Sequence, residues 1–146
     1  MKPFFLCLTL AGCCMATTAT AAETDQGVFI TISELRSTKG VVRCALYNAK
    51  DGFPSNSKRA MKVIISKIEG NKAICAFTGV PEGRYALAAY HDEDNNDKMK
   101  TNFLGIPQEG VAASNNAKGS FGPPSFDDAA FTYKAPRFEQ TIRVAY

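Results

Sequence analysis

Apolar and polar residues alternate along most of the chain between residues 27 and 91, and this alternation predicts β-strands. In GVFITISEL (residues 27–35) and VVRCALYN (residues 41–48), every second residue along one run is apolar, so these side chains share one face of the strand. A period of two is the side-chain repeat of a strand that has one buried face. The apolar positions of these two segments are Val28, Ile30, Ile32, Val42, Cys44 and Leu46.

Further strands are predicted on both sides of a central irregular region. MKVIISKIEG and NKAICAFTGV (residues 61–80) read as two strands joined by a hairpin turn at Gly70 and Asn71. RYALAAYH (residues 84–91) follows, and AAFTYK and RFEQTIRVAY close the chain. About seven strands without a strong amphipathic helix predict an all-β fold, a single antiparallel β-sandwich of two sheets.

The alternation stops between about residues 92 and 128, where one long loop is predicted. A loop of this length in a compact domain is usually ordered and functional, or a lid. Within it, Ser125 precedes Asp127 and Asp128. A serine hydroxyl can cap the first turn of a helix, so a short helix is predicted to begin there.

The first 22 residues have the pattern of a secretory signal peptide. Lys2 precedes a short apolar run, and small residues follow up to an A-x-A-like site at residues 19–21. A competing interpretation takes LAGC (residues 10–13) as a lipobox, which would make Cys13 a lipidated N-terminal residue. The predicted β-sandwich domain is then residues 23–146, in the periplasm or outside the cell, with an outer-membrane lipoprotein as the alternative.

Charge and hydropathy argue against two classes of partner, nucleic acid and the interior of a membrane. The chain carries a formal net charge of +3 with scattered basic residues, which argues against nucleic acid. No apolar run of the mature chain is long enough for a transmembrane segment.

Removal of residues 1–22 would leave two cysteines, Cys44 and Cys75. In an oxidising compartment they are expected to form a disulfide, and two small buried thiols are the alternative.

The most polar stretch of the chain is HDEDNNDKMKTN (residues 91–102), which suggests calcium binding. Asp92, Asp94 and Asn96 have the i, i+2, i+4 spacing of calcium ligands. The Gly and the bidentate Glu that an EF-hand loop requires are replaced by Asp97 and Phe103. The alternative without a bound ion is a solvated polar turn, because Asn and Asp tolerate tight backbone geometry.

His91 is the only histidine of the chain. A metal-dependent hydrolase centred on His91 would need further histidine or cysteine ligands. The simpler expectation is that one ring nitrogen holds the long loop through Asp92, Asn102 or a backbone carbonyl group.

Five motifs occur in order along residues 83–126: GRYA, HD, LGIPQE, SNNA and FGPPSF. Together with DGFP at residues 51–54, they resemble the pattern of a bacterial secreted family known as domain of unknown function 2141. The resemblance implies a periplasmic or outer-surface protein with an immunoglobulin-like or prealbumin-like sandwich, and it implies no established activity. The chain departs from the family at Asn96, Asp97 and Lys100, where the family has Asn-Gly and then an acid.

The motifs of the long loop predict residues that fix it to the sandwich. In FGPPSF, two prolines stiffen the chain and two phenylalanines are expected to pack on a core edge, with an exposed aromatic rim for a peptide or glycan as the alternative. The predicted loop anchors are His91, Asn102, Pro107, Asn115, Asn116, Phe121, Pro123, Pro124 and Phe126.

A large patterned loop without a catalytic set favours a non-enzymatic binding or accessory module of the cell envelope. Its partner would be an unknown envelope protein or a small ligand. A calcium-stabilised module and the His91 hydrolase are the two alternative functions.

Overall fold

The computed structural model describes residues 25–146, which contain nine β-strands in two sheets. The predicted signal peptide and Cys13 lie outside these residues. The strands are β1 (Gly27–Ser33), β2 (Val41–Tyr47), β3 (Lys62–Ser66), β4 (Ile68–Glu69), β5 (Lys72–Phe77), β6 (Gly83–Asp92), β7 (Val111–Ala113), β8 (Phe131–Tyr133) and β9 (Arg137–Arg143). A four-residue helix, α1 (Phe126–Ala129), and single 3-10 turns at Ser57–Arg59 and Ser114–Asn116 complete the secondary structure.

The two sheets confirm the predicted all-β sandwich. The first sheet has the strand order β4-β5-β1-β9, and the second has the order β3-β2-β6-β7, with β8 paired to the start of β6. Most neighbours run antiparallel, but β1 and β9 run parallel, with Gly27 opposite Arg137 and Ser33 opposite Arg143. The more specific immunoglobulin-like or prealbumin-like topology stays a prediction.

Two departures from the sequence pattern explain why there are nine strands. The apolar segment at residues 61–70 breaks at Lys67 into β3 and β4, which belong to different sheets. At this break, the Ser66 hydroxyl donates a hydrogen bond to the Ile74 carbonyl group at 2.7 Å. The second departure is β7, which lies inside the predicted long loop and pairs with β6. The region between residues 92 and 128 is therefore not one continuous loop.

The main core fills the space between the sheets with the residues that the period of two predicts. The alternating positions of β1 and β2 are almost fully buried, and β5, β6 and β9 contribute Phe77, Leu87 and Ile142. Cys44 of β2 and Cys75 of β5 form a disulfide across this core, with a Cα–Cα distance of 6.2 Å. The predicted disulfide is thus present, and it links the two sheets covalently.

A second apolar cluster covers the outer face of the second sheet. Ala45 and Ala86 are small, so Phe126 of α1 packs closely on that face. Tyr47, Phe53 and Phe126 meet edge to face, with ring centroids 5.3 and 5.8 Å apart. The predicted helix start is confirmed, because the Ser125 hydroxyl accepts a hydrogen bond from the Asp128 N–H group at 3.1 Å.

Within residues 25–146, no helix has the length and apolarity needed to cross a membrane.

Candidate functional site

The last two residues of β6, His91 and Asp92, point to opposite faces of the second sheet because they are neighbours on a strand. Both side chains are fully buried. His91 lies on the inner face, and Asp92 lies on the outer face beside the loop 93–110, which we call the β6–β7 loop. Adjacent strand residues with this geometry do not form a catalytic pair.

Both ring nitrogens of His91 have hydrogen-bond partners. Nε2 donates to the carbonyl oxygen of Lys39 at 2.8 Å, and Nδ1 accepts from the hydroxyl group of Tyr146 at 2.7 Å. The Tyr146 oxygen in turn accepts from the N–H group of Arg36 at 3.0 Å. These roles are mutually consistent for a neutral imidazole with its proton on Nε2. His91 therefore fastens the β1–β2 connection and the C-terminus to the end of the core.

His91 has a backbone carbonyl partner, but the carbonyl group belongs to the β1–β2 connection and not to the long loop that His91 was expected to hold. A metal ligand needs a nitrogen lone pair that points at the ion. Both nitrogens are already engaged, and the acidic cluster of the described residues does not include His91. The geometry therefore disfavours a hydrolase centred on this residue.

Asp92 organises the start of the β6–β7 loop. Its Oδ1 accepts from the Asn96 N–H group at 3.0 Å, and its Oδ2 accepts from the Asp97 N–H group at 3.0 Å and from Arg43 Nε at 2.6 Å. Burial alone would raise the pKa of Asp92. The hydrogen bonds from Arg43 and from the two backbone N–H groups outweigh burial, so the pKa is lowered. The carboxylate is held ionised as the cap of a tight turn.

Strand register brings Arg43 to Asp92. Val41 lies opposite Asp92 and Arg43 lies opposite Tyr90, so Arg43 is a diagonal neighbour of Asp92 on the outer face. Arg43 also pairs with Asp97, with 2.9 Å between Nη1 and Oδ1. Asp97 has a φ of 65°, at the position where the resemblance described above implies glycine. Glycine adopts this left-handed conformation freely and aspartate tolerates it, so the turn is kept despite the substitution.

Glu109 closes the same loop from its other end. It is only 3% exposed, and its two oxygens accept from the N–H groups of Glu93 at 3.1 Å and Lys100 at 3.0 Å. Glu93 is paired with Arg36 and accepts a hydrogen bond from the Ser37 hydroxyl at 3.0 Å. The bond from Arg36 is the main cause that lowers the pKa of Glu93 to about 2. We call Asp92, Glu93 and Glu109, with Arg36 and Arg43, the polar base of the loop.

One oxygen from each of Asp92, Asp94 and Glu109 lies within 4.8 Å of the others. Two of the predicted calcium ligands, Asp92 and Asp94, belong to this acidic set, and Glu109 joins them. The Asn96 amide instead donates to Asp94 Oδ2 at 2.8 Å, and its oxygen accepts from the Lys98 N–H group. Asp92 and Glu109 already accept hydrogen bonds from the loop, which explains their positions without an ion. Calcium binding stays a prediction.

The middle of the β6–β7 loop is a small hairpin. Thr101 pairs with Pro107, and the Gln108 N–H group donates to the Lys100 carbonyl oxygen at 2.8 Å. Asn102 closes the turn: its side-chain oxygen accepts from the N–H groups of Leu104 at 2.9 Å and Ile106 at 3.0 Å. Its backbone N–H group donates to the Ile106 carbonyl oxygen at 2.9 Å. Asn102 and Pro107 thus act inside this hairpin, and the turn does not need packing to hold its shape.

Three large apolar side chains extend from this turn into solvent. Phe103 is 95% exposed, Leu104 69% and Ile106 55%, and Gly105 between them has a φ of 78°. We call residues 103–106 the apolar tip. A cluster of exposed apolar side chains on a soluble protein commonly marks a contact surface. Pro107 of this motif was predicted to fix the loop to the sandwich, whereas the neighbouring Leu104 and Ile106 are exposed.

An open cleft of about 490 Å³ lies beside the polar base. Side chains of both charges line it, including Arg36, Lys39, Glu93, Asp94 and Lys100. The arginine and the two glutamates of its wall already have partners within the protein.

Residues 114–116 fix the chain after β7 to three elements. The Ser114 hydroxyl accepts from the Leu87 N–H group at 2.9 Å and donates to the Ala129 carbonyl oxygen. The Asn115 amide donates to the Ala130 carbonyl oxygen at 2.8 Å, and Asn116 accepts from the Arg143 N–H group at 2.8 Å. Asn115 and Asn116 therefore have hydrogen bonds of the kind expected for anchors, with β6, α1 and β9 as the anchored elements.

The two phenylalanines of FGPPSF behave differently. Phe126 is buried against Phe53 and the outer face of the second sheet. Phe121 is fully exposed, Pro123 is exposed and Pro124 is half-buried. The anchor prediction is therefore wrong for Phe121, because its ring is exposed while Phe126 alone packs on the outer face of the second sheet.

Several important residues of the site were missed by the sequence analysis. Glu109 is the last residue of the LGIPQE motif, and its position after an apolar turn gave no sign that it would be buried. Arg43 interrupts an otherwise apolar outer face of β2, which was a usable signal for a charge partner. Tyr146 gave no signal, because its contact with His91 joins positions 55 residues apart in sequence.

Comparison with known proteins assigns the chain to a family. Residues 30–141 match the family described as an uncharacterized protein conserved in bacteria, DUF2141. The match spans most of the chain, so the protein belongs to this family. Comparisons with curated proteins and with solved structures find no match.

Proposed function

We propose that this member of an uncharacterized bacterial family is a non-enzymatic binding or accessory module of the cell envelope. The apolar tip is its contact surface. The observation that carries the proposal is the exposure of Phe103, Leu104 and Ile106 on a turn whose backbone is already hydrogen-bonded. These side chains are largely exposed and contribute little to the core, so a partner that covers them would account for their exposure.

The polar base supports a binding role. Its acids are engaged by backbone N–H groups or by arginines, and His91 uses both ring nitrogens. Within residues 25–146, no buried polar side-chain atom lacks a hydrogen-bond partner. A general base or a nucleophile needs a lone pair available to substrate. The geometry is that of a rigid support for a loop.

The Cys44–Cys75 disulfide supports a place outside the cytoplasm, because such bonds persist in oxidising compartments. The predicted signal peptide agrees with this location. The proposed site of action is the periplasm or the cell surface, where the tip would meet an envelope component.

Sedimentation with isolated cell envelopes tests the proposal. The mature protein is expected to pellet with envelopes, and a triple variant, Phe103→Ser, Leu104→Ser and Ile106→Ser, is expected to stay in solution. A matched control replaces three exposed apolar residues on strands, Val63→Thr, Ile65→Thr and Ile74→Thr, and should pellet like the wild type. Equal pelleting of the tip variant and the wild type would refute the proposal.

An assay for turnover completes the test. The pure protein is expected to leave esters, peptides and glycans unchanged. Turnover that is lost in the His91→Ala variant would identify an enzyme instead.

A further inference from the structure

We infer that the apolar tip inserts into the surface of a membrane that contains anionic phospholipid. This inference rests on the proposed function and names the partner class of the same surface. It starts from the shape of the tip, which is a convex turn at the end of a short hairpin. A convex apolar turn enters a lipid surface without a preformed pocket, whereas a protein partner would have to supply a matching groove.

The second step is the stiffness of the turn. Asn102 fixes the backbone at Leu104 and Ile106, and Glu109 fixes the loop at Lys100. The three apolar side chains are thus presented without a large loss of backbone freedom on binding. Preorganisation of this kind raises affinity because the ordering cost is already met in the free protein.

The third step is charge. Lys98 and Lys100 lie five and three residues before Phe103, the first residue of the tip, and Lys39 lines the cleft beside Lys100. Within the described chain, none of the three forms an ion pair, whereas Glu93 and Asp97 are paired with arginines. The exposed charged residues closest to the tip in sequence are thus Lys98 and Lys100, because Glu109, on the other side of the tip, is buried and Asp94 lies further away along the chain. Lysines around an apolar wedge match anionic headgroups above an acyl layer.

The chain contains no tryptophan, so a single Phe103→Trp substitution gives a fluorescent reporter at the tip. Phe103 is almost fully exposed, and the larger ring should leave the fold unchanged. Ile74→Trp, at a residue of β5 that is 57% exposed, is the matched control. Each variant is mixed with vesicles of phosphatidylcholine containing phosphatidylglycerol, and with vesicles of phosphatidylcholine alone.

We expect the emission of the Phe103→Trp protein to shift to shorter wavelength with the anionic vesicles, and the Ile74→Trp protein to show no shift. In the Phe103→Trp background, Lys98→Gln and Lys100→Gln should each weaken binding by about fivefold, since a basic residue at an anionic surface contributes about that factor. Added salt should weaken binding further through screening. Leu104→Ser should weaken it by about tenfold or more, through lost apolar burial.

No shift with the anionic vesicles at saturating lipid would overturn the lipid inference. Envelope sedimentation distinguishes this failure from a failure of the proposed function. If envelopes still capture the wild type but lose it after protease treatment, the partner is a protein; the lipid inference is then wrong and the proposed function stands. If neither vesicles nor envelopes bind the tip, both proposals are wrong.

Discussion

The polar base holds the β6–β7 loop and the apolar tip lies at its turn, and the two regions differ in polarity and in burial. In the base, Asp92 and Glu109 are buried, and the oxygens of the three acids accept hydrogen bonds from the loop or from Arg36 and Arg43. In the tip, apolar side chains are exposed and contact little of the protein. Buried polar groups without partners are costly, so the base is fully paired. Contiguous exposed apolar groups commonly mark a contact surface.

The most polar stretch of this sequence thus shapes and holds a loop, and it is not the surface that we propose as the contact site. HDEDNNDKMKTN contains the residues that metal or acid–base chemistry uses. Of its acids, Asp92 accepts hydrogen bonds from backbone N–H groups, and Glu93 and Asp97 pair with arginines. The contact surface that we propose is the apolar turn that follows this stretch.

The largest expected effect comes from breaking the base at Asp92. Asp92→Ala would leave Arg43 and the N–H groups of Asn96 and Asp97 without their acceptor. Removal of one partner of a buried pair costs about 3–5 kcal/mol of unfolding free energy. Urea denaturation measures the loss. Asp94→Ala, which removes an exposed acid of the same loop, should change stability by less than about 0.5 kcal/mol. Equal losses in the two variants would contradict the structural role of Asp92.

A smaller effect is expected at Glu109. Glu109→Ala removes the acceptor of the Glu93 and Lys100 N–H groups, at a cost of about 1–3 kcal/mol. Amide hydrogen exchange should become faster at Lys100, while the N–H group of Leu104, held within the hairpin by Asn102, stays protected. Unchanged exchange at Lys100 would show that Glu109 does not hold the loop.

Low pH should lower the stability that the polar base of the loop contributes. The pKa of Glu93 is lowered to about 2 in the folded protein, and the pKa of Asp92 is also lowered. For a depressed pKa, the stabilisation is complete above the unfolded value near 4.5 and is lost as the pH falls towards 2. Because the Glu93 pair is partly exposed, we expect it to contribute about 1 kcal/mol. Unfolding midpoints between pH 6 and 2 should therefore fall less steeply in Glu93→Gln than in the wild type. Parallel curves would exclude the pair as a contributor.

Calcium should have the smallest effect. Asp92 and Glu109 already accept hydrogen bonds, and Arg43 contacts Asp92, so we expect saturating Ca²⁺ to leave the melting temperature unchanged. A rise that chelator reverses, and that disappears when Asp92→Ala and Asp94→Ala are combined, would establish the calcium-stabilised module instead.

The sequence predicts local features of the fold better than long-range ones. The period of two identified the buried faces of β1 and β2, and Ser125 identified the start of α1, because these signals lie within a few residues. The split of residues 61–70 between two sheets was not predictable, since Lys67 carries no breaker signal. The parallel contact of β1 with β9 joins the two ends of the described chain and has no local signature.

The site shows the same limit. The sequence singled out His91 and Asp92, but their partners Tyr146 and Arg43 are 55 and 49 residues away. Burial of Glu109 and exposure of Phe121 follow from how the loop lies on the sandwich, which residue type alone does not determine. Asn115 and Asn116 were predicted from their motif, and their hydrogen bonds depend on β9 being adjacent.

The most direct test of the account measures stability and envelope binding on the same tip variant, Phe103→Ser, Leu104→Ser and Ile106→Ser. The account predicts an unfolding midpoint in urea within error of the wild type, because the exposed side chains contribute little to the core. It also predicts a loss of envelope binding of about tenfold or more, because the apolar contact is removed. A variant that unfolds earlier but still binds envelopes like the wild type would contradict the central claim.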